Sequence, residues 1–160
     1  MKKQLFKLSE LLQLETELLG ATNLETNEIL FHGLMNQELS IGVKYWLNEL
    51  VEVLQKEKKT IDAFKEELFK KYGETDDKGV LGIPYYIESD EVDADGNPIN
   101  VPNPNATAFQ NEYSELLSQE KTIRIHKFQL AELTTITTKE TYPLVMKYLI
   151  EKPIIDEIDE

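Results

Sequence analysis

The run from residue 40 to residue 72 constrains this chain more than any other segment. Within it Ile41, Tyr45, Trp46, Leu50, Leu54, Ile61, Phe64, Leu68 and Tyr72 recur mostly three or four apart, as one apolar stripe of a helix does. Ser40 stands where a side chain can cap the first turn, and Gly73 where a left-handed residue would end the last. Glu52 with Lys56, Glu66 with Lys70 and Glu67 with Lys71 place each acid four residues before its base on the opposite face. At 1.5 Å per residue such a helix is roughly 50 Å long, longer than a small domain is wide. A rod of that length has to be covered by other elements, by other subunits, or by both. Its first implication is assembly.

At 160 residues, 41% of them apolar, the chain can fold as one domain with a real core. Its formal charge of −13, from 30 acids against 17 bases, works against binding the outside of a nucleic acid or an anionic membrane. The same charge suits an acidic outer surface, an acidic lumen, or a basic partner. There is no cysteine, so disulfides and thiolate metal sites are excluded. Met1, Lys2 and Lys3 imitate the charged start of a signal peptide. Glu10, Glu15 and Glu17 interrupt what would be its apolar core, and no transmembrane-length run follows, so an intracellular origin is expected.

Residues 3–8 read as a short strand, with Phe6 and Leu8 alternating against Gln4 and Lys7. Ser9 then caps a helix to Leu19, with Leu11, Leu12, Leu14, Leu18 and Leu19 on its apolar side and Gly20 as its stop. Residues 28–35 read as a short helix carrying Ile29, Leu30 and Leu34, weakened by Gly33. After Gly73 the composition changes. Residues 79–105 hold Gly79, Gly82, Gly96, Pro84, Pro98, Pro102 and Pro104, and we read them as a proline-rich extended arm. Within it residues 84–88 look like a strand, and Asp95-Gly96 is a hairpin turn signal leading to Ile99 and Val101. Asn105 caps a third helix to Glu120, with Phe109, Tyr113, Leu116 and Leu117 on one face.

Residues 122–128 alternate, Ile123 and Ile125 inward and Arg124 and His126 outward, so they can pair with residues 3–8. Residues 141–151 form a last helix that tolerates Pro143 only in its first turn, and residues 151–160 an acidic tail that retains Ile154, Ile155 and Ile158. The predicted class is α+β and mostly helical: a helical hairpin or small bundle, a minimal two-stranded sheet and the arm, in one domain over residues 1–150.

Chemistry-bearing patterns are few. Asp90, Glu91, Asp93, Asp95 and Asn97 begin as a calcium loop does, with oxygen ligands on alternate residues. Counting from Asp93, however, the sixth and twelfth positions hold Pro98 and Pro104 where that loop needs glycine and a bidentate acid, so a turn with solvated acids is the better reading. His32 and His126 are the two histidines and neither has a second ligand at helical spacing; His126 reads as a surface imidazole. No Gly-x-Ser-x-Gly elbow and no glycine-rich phosphate loop is present. No catalytic, metal or cofactor residue is assigned, no cofactor is expected, and the chain reads as a non-enzyme. The residues singled out are candidate interface groups. Tyr45, Trp46, Leu50 and Leu54 on the long helix can serve as core or as a hot-spot patch between subunits. Tyr85, Tyr86 and Ile87 form a β-prone run that can close its own hairpin or add to a neighbour's sheet edge.

The order of elements carries a resemblance. Leu5-Phe6-Lys7-Leu8-Ser9-Glu10-Leu11-Leu12 leads from strand to helix, and the long helix ends in Phe64-Lys65-Glu66-Glu67-Leu68-Phe69-Lys70-Lys71-Tyr72-Gly73-Glu74. A variable insert follows, then Phe109-Gln110-Asn111-Glu112-Tyr113-Ser114-Glu115-Leu116-Leu117, the alternating strand and a short helix. Over residues 3–150 this resembles small proteins encoded among the structural genes of tailed bacteriophages. The insert at 79–105 departs from their shorter versions. The resemblance implies a virion structural protein acting in multiple copies, as a ring component of the neck, connector or tail, made in the host cytoplasm and located in the virion. Its partners would be itself and other phage structural proteins, without sequence-specific nucleic acid binding and without a membrane. Two other readings stay open: an assembly chaperone or adaptor absent from the mature particle, and an acidic intracellular regulator that binds a basic partner.

Overall fold

In the computed structural model, which describes residues 1–133 and 140–152, the chain is α+β and mostly helical, as the patterning predicts. Its elements are β1 (Lys2–Lys7), α1 (Leu8–Leu19), β2 (Gly20–Thr22), β3 (Ile29–His32), α2 (Ile41–Tyr72), β4 (Glu74–Thr75), β5 (Leu81–Gly82), β6 (Tyr86–Val92), β7 (Pro98–Pro102), α3 (Pro104–Ser118) and β8 (Glu120–Ile125). A π-helical turn follows at Val145–Leu149. The strands form four separate antiparallel pairs, β1–β8, β2–β3, β4–β5 and β6–β7. The chain divides into two compact units, residues 1–58 with 120–160, and residues 59–119. The predicted arm lies in the second. Among the described residues no helix is long and apolar enough to cross a membrane.

The first unit joins the two ends of the chain. β1 pairs with β8 from Lys2 opposite Ile125 to Lys7 opposite Glu120, the pairing that the two alternating segments predict. Phe6, Ile123 and Ile125 point into the core. α1 adds Leu11, Leu14 and Leu18, spaced for one helical face, and α2 adds Val43, Leu47, Leu50, Val51 and Leu54. Each such side chain, fully buried, stabilises the fold by about 1.5–3 kcal/mol relative to exposure. Phe128, Tyr142, Leu144, Val145, Tyr148 and Leu149 close the core from the far side of the sequence.

Several local expectations are corrected. Ser9 does not cap α1; the helix starts at Leu8, and the Glu10 carboxylate accepts the Lys7 N–H at 3.0 Å in its place. Residues 28–35 do not form one helix: Ile29–His32 is a strand, and a single 3₁₀ turn starts at Leu34. The Asn23 side chain accepts the N–H of Glu25 at 2.9 Å and of Thr26 at 3.3 Å, which folds a turn and returns Ile29–His32 against Gly20–Thr22. Gly20 does stop α1, at φ +85, and a Cβ there would lie 2.6 Å from the Phe31 carbonyl oxygen. Gly73 is not left-handed. It is required by closeness, because a Cβ would lie 2.4 Å from the Phe69 carbonyl oxygen and 2.9 Å from Leu81.

The cap of α3 is Asn103 rather than Asn105, with Pro104 in the first turn, and the helix ends at Ser118. The predicted helix over 141–151 reduces to a short run ending at Leu149. Beyond it the backbone is claimed by Phe128, whose N–H donates to Leu149 O at 2.7 Å and whose carbonyl accepts Glu151 N–H at 2.8 Å. Most of the acidic tail, residues 153–160, lies outside the described residues.

Ser40 caps α2 as expected, its hydroxyl accepting the Val43 N–H at 3.3 Å. The buried face of that helix is shifted from the predicted stripe. Ile41 and Tyr45 lie two residues before Val43 and Leu47, a rotation of roughly 200°, and face away from the core. Lys71, expected to pair with Glu67, pairs with Glu112 of α3 at 2.6 Å.

Glu10 links α1 to the C-terminal part of the first unit. Burial raises its pKa, but the Tyr148 hydroxyl, the Lys7 N–H and Lys147 outweigh that and hold it below the usual carboxylate range. A depressed carboxylate stabilises the fold above its unfolded pKa of about 4.3, and the stabilisation is lost as pH falls through the folded value. Thermal denaturation is therefore expected to show stability falling below about pH 4 more steeply in the wild type than in Glu10→Gln. Identical acid limbs would remove Glu10 from the account.

In the second unit Asn103 is the joint between hairpin and helix. Its side chain accepts the Asn105 N–H at 3.0 Å and donates to the Pro84 carbonyl at 2.7 Å, while its own N–H donates to Tyr85 O at 2.8 Å. It is buried, so truncation strands the groups it serves. Asn103→Ala is expected to cost about 1–2 kcal/mol and to speed amide exchange over residues 84–105. Unchanged exchange there would contradict this role.

Candidate interaction surface

β6 and β7 form a hairpin because Asp93 organises its turn. The Asp93 carboxylate accepts the N–H of Asp95 and of Asn97, each at 2.9 Å, and Gly96 takes φ +81. The Asn97 N–H is the main reason the Asp93 carboxyl lies below its usual range. The acidic run therefore spends this carboxylate on the turn. Among the described residues no group of three or more acidic or histidine side chains converges as metal ligands would.

Ile87 sits opposite Val101, and Tyr86 opposite Pro102. Cross-strand partners share a face, so Ile87, Val101 and Ile99 make one apolar side of the ribbon. Ile87 and Ile99 remain more than a third exposed, and Tyr85 and Tyr86 are exposed by 72% and 66%. The Tyr85 carbonyl accepts the Asn103 N–H, and Tyr86 takes its place in the ladder. The ribbon has two strands, so each keeps one edge without a sheet partner among the described residues.

Beside it, the C-terminal part of α2 and α3 meet through Phe69 and Phe109, ring centres 4.7 Å apart, and through Lys71 and Tyr72 on the Glu112 carboxylate. An open groove of about 410 Å³ lies between these helices, with Phe64, Leu68 and Leu116 along it and Glu67, Lys71 and Glu112 as its charged residues. Phe64 is half exposed. The groove offers apolar contact with an ionic rim.

The candidate residues on the first half of α2 separate. Leu50 and Leu54 are buried in the core of the first unit, which corrects their assignment to an interface: they lie on the helical face defined by Val43 and Leu47. Trp46 packs partly against that core and stacks on His126, ring centres 4.7 Å apart and planes 2° from parallel. His126 is thus a half-buried stacking partner and not a free surface imidazole. Tyr45 is 57% exposed, edge-on to Trp46. Of the seven candidates, Tyr45, Tyr85, Tyr86 and Ile87 remain available to a partner. Val92, exposed at the hairpin's far end, was not anticipated: it stands alone between Glu91 and Asp93, without the apolar neighbours that mark an interface run. Comparison of the chain with protein-family models, with curated proteins and with solved structures finds no match.

Proposed function

We propose that this chain is a non-enzymatic assembly subunit that works in several copies, with its second unit as the joining surface. In the reading the phage resemblance favours, it is a virion component of a tailed phage, in a ring of the neck, connector or tail.

The observation that carries the proposal is the imbalance within residues 59–119. Three apolar residues there, Ile61, Ala106 and Phe109, are buried, whereas eight large hydrophobics are exposed: Phe64, Val80, Leu81, Tyr85, Tyr86, Ile87, Val92 and Ile99. A two-stranded ribbon is marginal by itself and gains stability when its apolar side or open edge is covered. Aromatic groups at such a place are the residues that supply most interface energy. A closed ring covers a heterologous surface on every subunit.

The test is to purify particles from a culture producing the protein and to count its copies by quantitative mass spectrometry. A fixed whole-number ratio to the portal protein supports a ring component. Abundance in the lysate with absence from particles would overturn it in favour of a chaperone, adaptor or regulator.

A further inference from the structure

In a chain with 30 acids and 17 bases, five lysines line one cleft. A cleft of about 560 Å³ in the first unit is lined by Lys2, Lys3, Lys127, Lys147 and Lys152, with Glu151 as the one acid among its described lining residues. Three structural features bring these residues together. β1 brings Lys2 and Lys3 beside the end of β8; the parallel Phe128–Ile150 bridge lays residues 127–129 along residues 149–151, so that Lys127 feels the charges of Glu151 and Lys152; the π-helical turn carries Lys147. Tyr148 and Ile150, both buried, contribute apolar lining.

Among the described residues the counter-charges are few. Lys2 meets Glu151 at 3.2 Å, and Lys147 meets Glu10 at 3.1 Å. Lys127 donates to the Tyr148 carbonyl, a neutral acceptor. Lys3 and Lys152 have no ion-pair partner among the described residues. Lys127 is held below the usual lysine range by burial first, and then by the charges of Lys2 and Lys152. Like charges so placed repel one another until an anion enters. A lysine ammonium is a compact charge with three rotatable donors, suited to phosphate oxygens as a point charge.

We propose that this cleft binds a small polyphosphate anion, its phosphates held by Lys3, Lys127 and Lys152 and flanked by Lys2 and Lys147. Size decides between a small anion and an extended one. Screening confines the lysine field to about 8 Å at physiological salt, so it acts on what enters the cleft. A long duplex would also meet the surrounding surface of a chain whose net charge is −13. The cleft is within the range of small-ligand sites, about 300–1,000 Å³. This inference is independent of the assembly reading.

Calorimetric titration of the full chain tests it, with inorganic tripolyphosphate, ATP and a short DNA duplex as separate probes. Saturable one-to-one binding of tripolyphosphate is expected, weakened about tenfold or more in Lys3→Gln/Lys152→Gln. Both residues are exposed, so the variant should melt like the wild type when no anion is present. ATP binding that is weakened alongside would make a nucleotide's phosphates one source of the ligand, and tripolyphosphate binding alone would make it a free phosphate chain. Both support the site. Absence of tripolyphosphate binding at millimolar concentration, equal affinity in the double variant, or binding of the duplex alone would overturn it.

Discussion

Glu17→Ala is expected to lower the stability of the fold by about 3 kcal/mol or more, since it removes a charged acceptor and strands buried donors. Glu17 projects from α1 and is 4% exposed. Its carboxylate accepts the Leu144 N–H at 2.9 Å and the Val145 N–H at 3.0 Å, and the Gln13 amide at 3.2 Å. Pro143 precedes these residues and has no N–H, so Glu17 satisfies the first two donors of that turn. For a domain of this size the loss corresponds to a melting temperature lower by about 6–12 °C. Glu17→Gln keeps one acceptor oxygen and should lose about half as much. Near-wild-type melting of Glu17→Ala would show that solvent reaches these N–H groups.

Phe6→Ala is expected to cost about 3–5 kcal/mol, the range for a buried aromatic that leaves a cavity. Phe6 is 1% exposed, and its ring lies 4.5 Å from that of Tyr148. It belongs to β1 yet touches the far end of the chain, so its removal loosens the closure of the first unit. Urea unfolding measures the loss. Phe64→Ala, which removes an equally large but half-exposed ring, should change the stability of the isolated chain by no more than about 0.5 kcal/mol. Equal losses from the two would contradict the division between core and surface.

These two effects mark how far the sequence could be read. Features decided within a few residues were legible: the Ser40 cap, the Gly20 stop, the Asp95-Gly96 turn, and the alternation that pairs β1 with β8. The β2–β3 hairpin was missed because its cue is the Asn23 side chain with Asn27 at φ +56, while Ile29, Leu30 and Leu34 imitate a helical spacing. On α2 too many apolar residues were available. Ile41, Tyr45 and Phe64 fit a period as well as Val43 and Leu47 do, and only the packing partners decide which face is buried. For the same reason Leu50 and Leu54 stayed open between core and interface until the packing placed them in the core. Glu17 and the lysine cleft had no local signal, because their partners lie more than a hundred residues away in the chain. The Tyr85-Tyr86-Ile87 run was legible as β-prone, while its hairpin with Ile99 and Val101 and the exposure of Tyr85 and Tyr86 needed the structure.

We propose that the second unit joins copies of the chain through this hairpin. Sedimentation velocity over a wide concentration range, on the wild type and on Tyr85→Ser/Tyr86→Ser/Ile87→Ser, tests it most directly. The account predicts that the wild type sediments as a multi-copy species, and that the triple variant melts like the wild type but sediments as a monomer. A wild type that stays monomeric throughout, or an assembly the triple variant leaves intact, would contradict it.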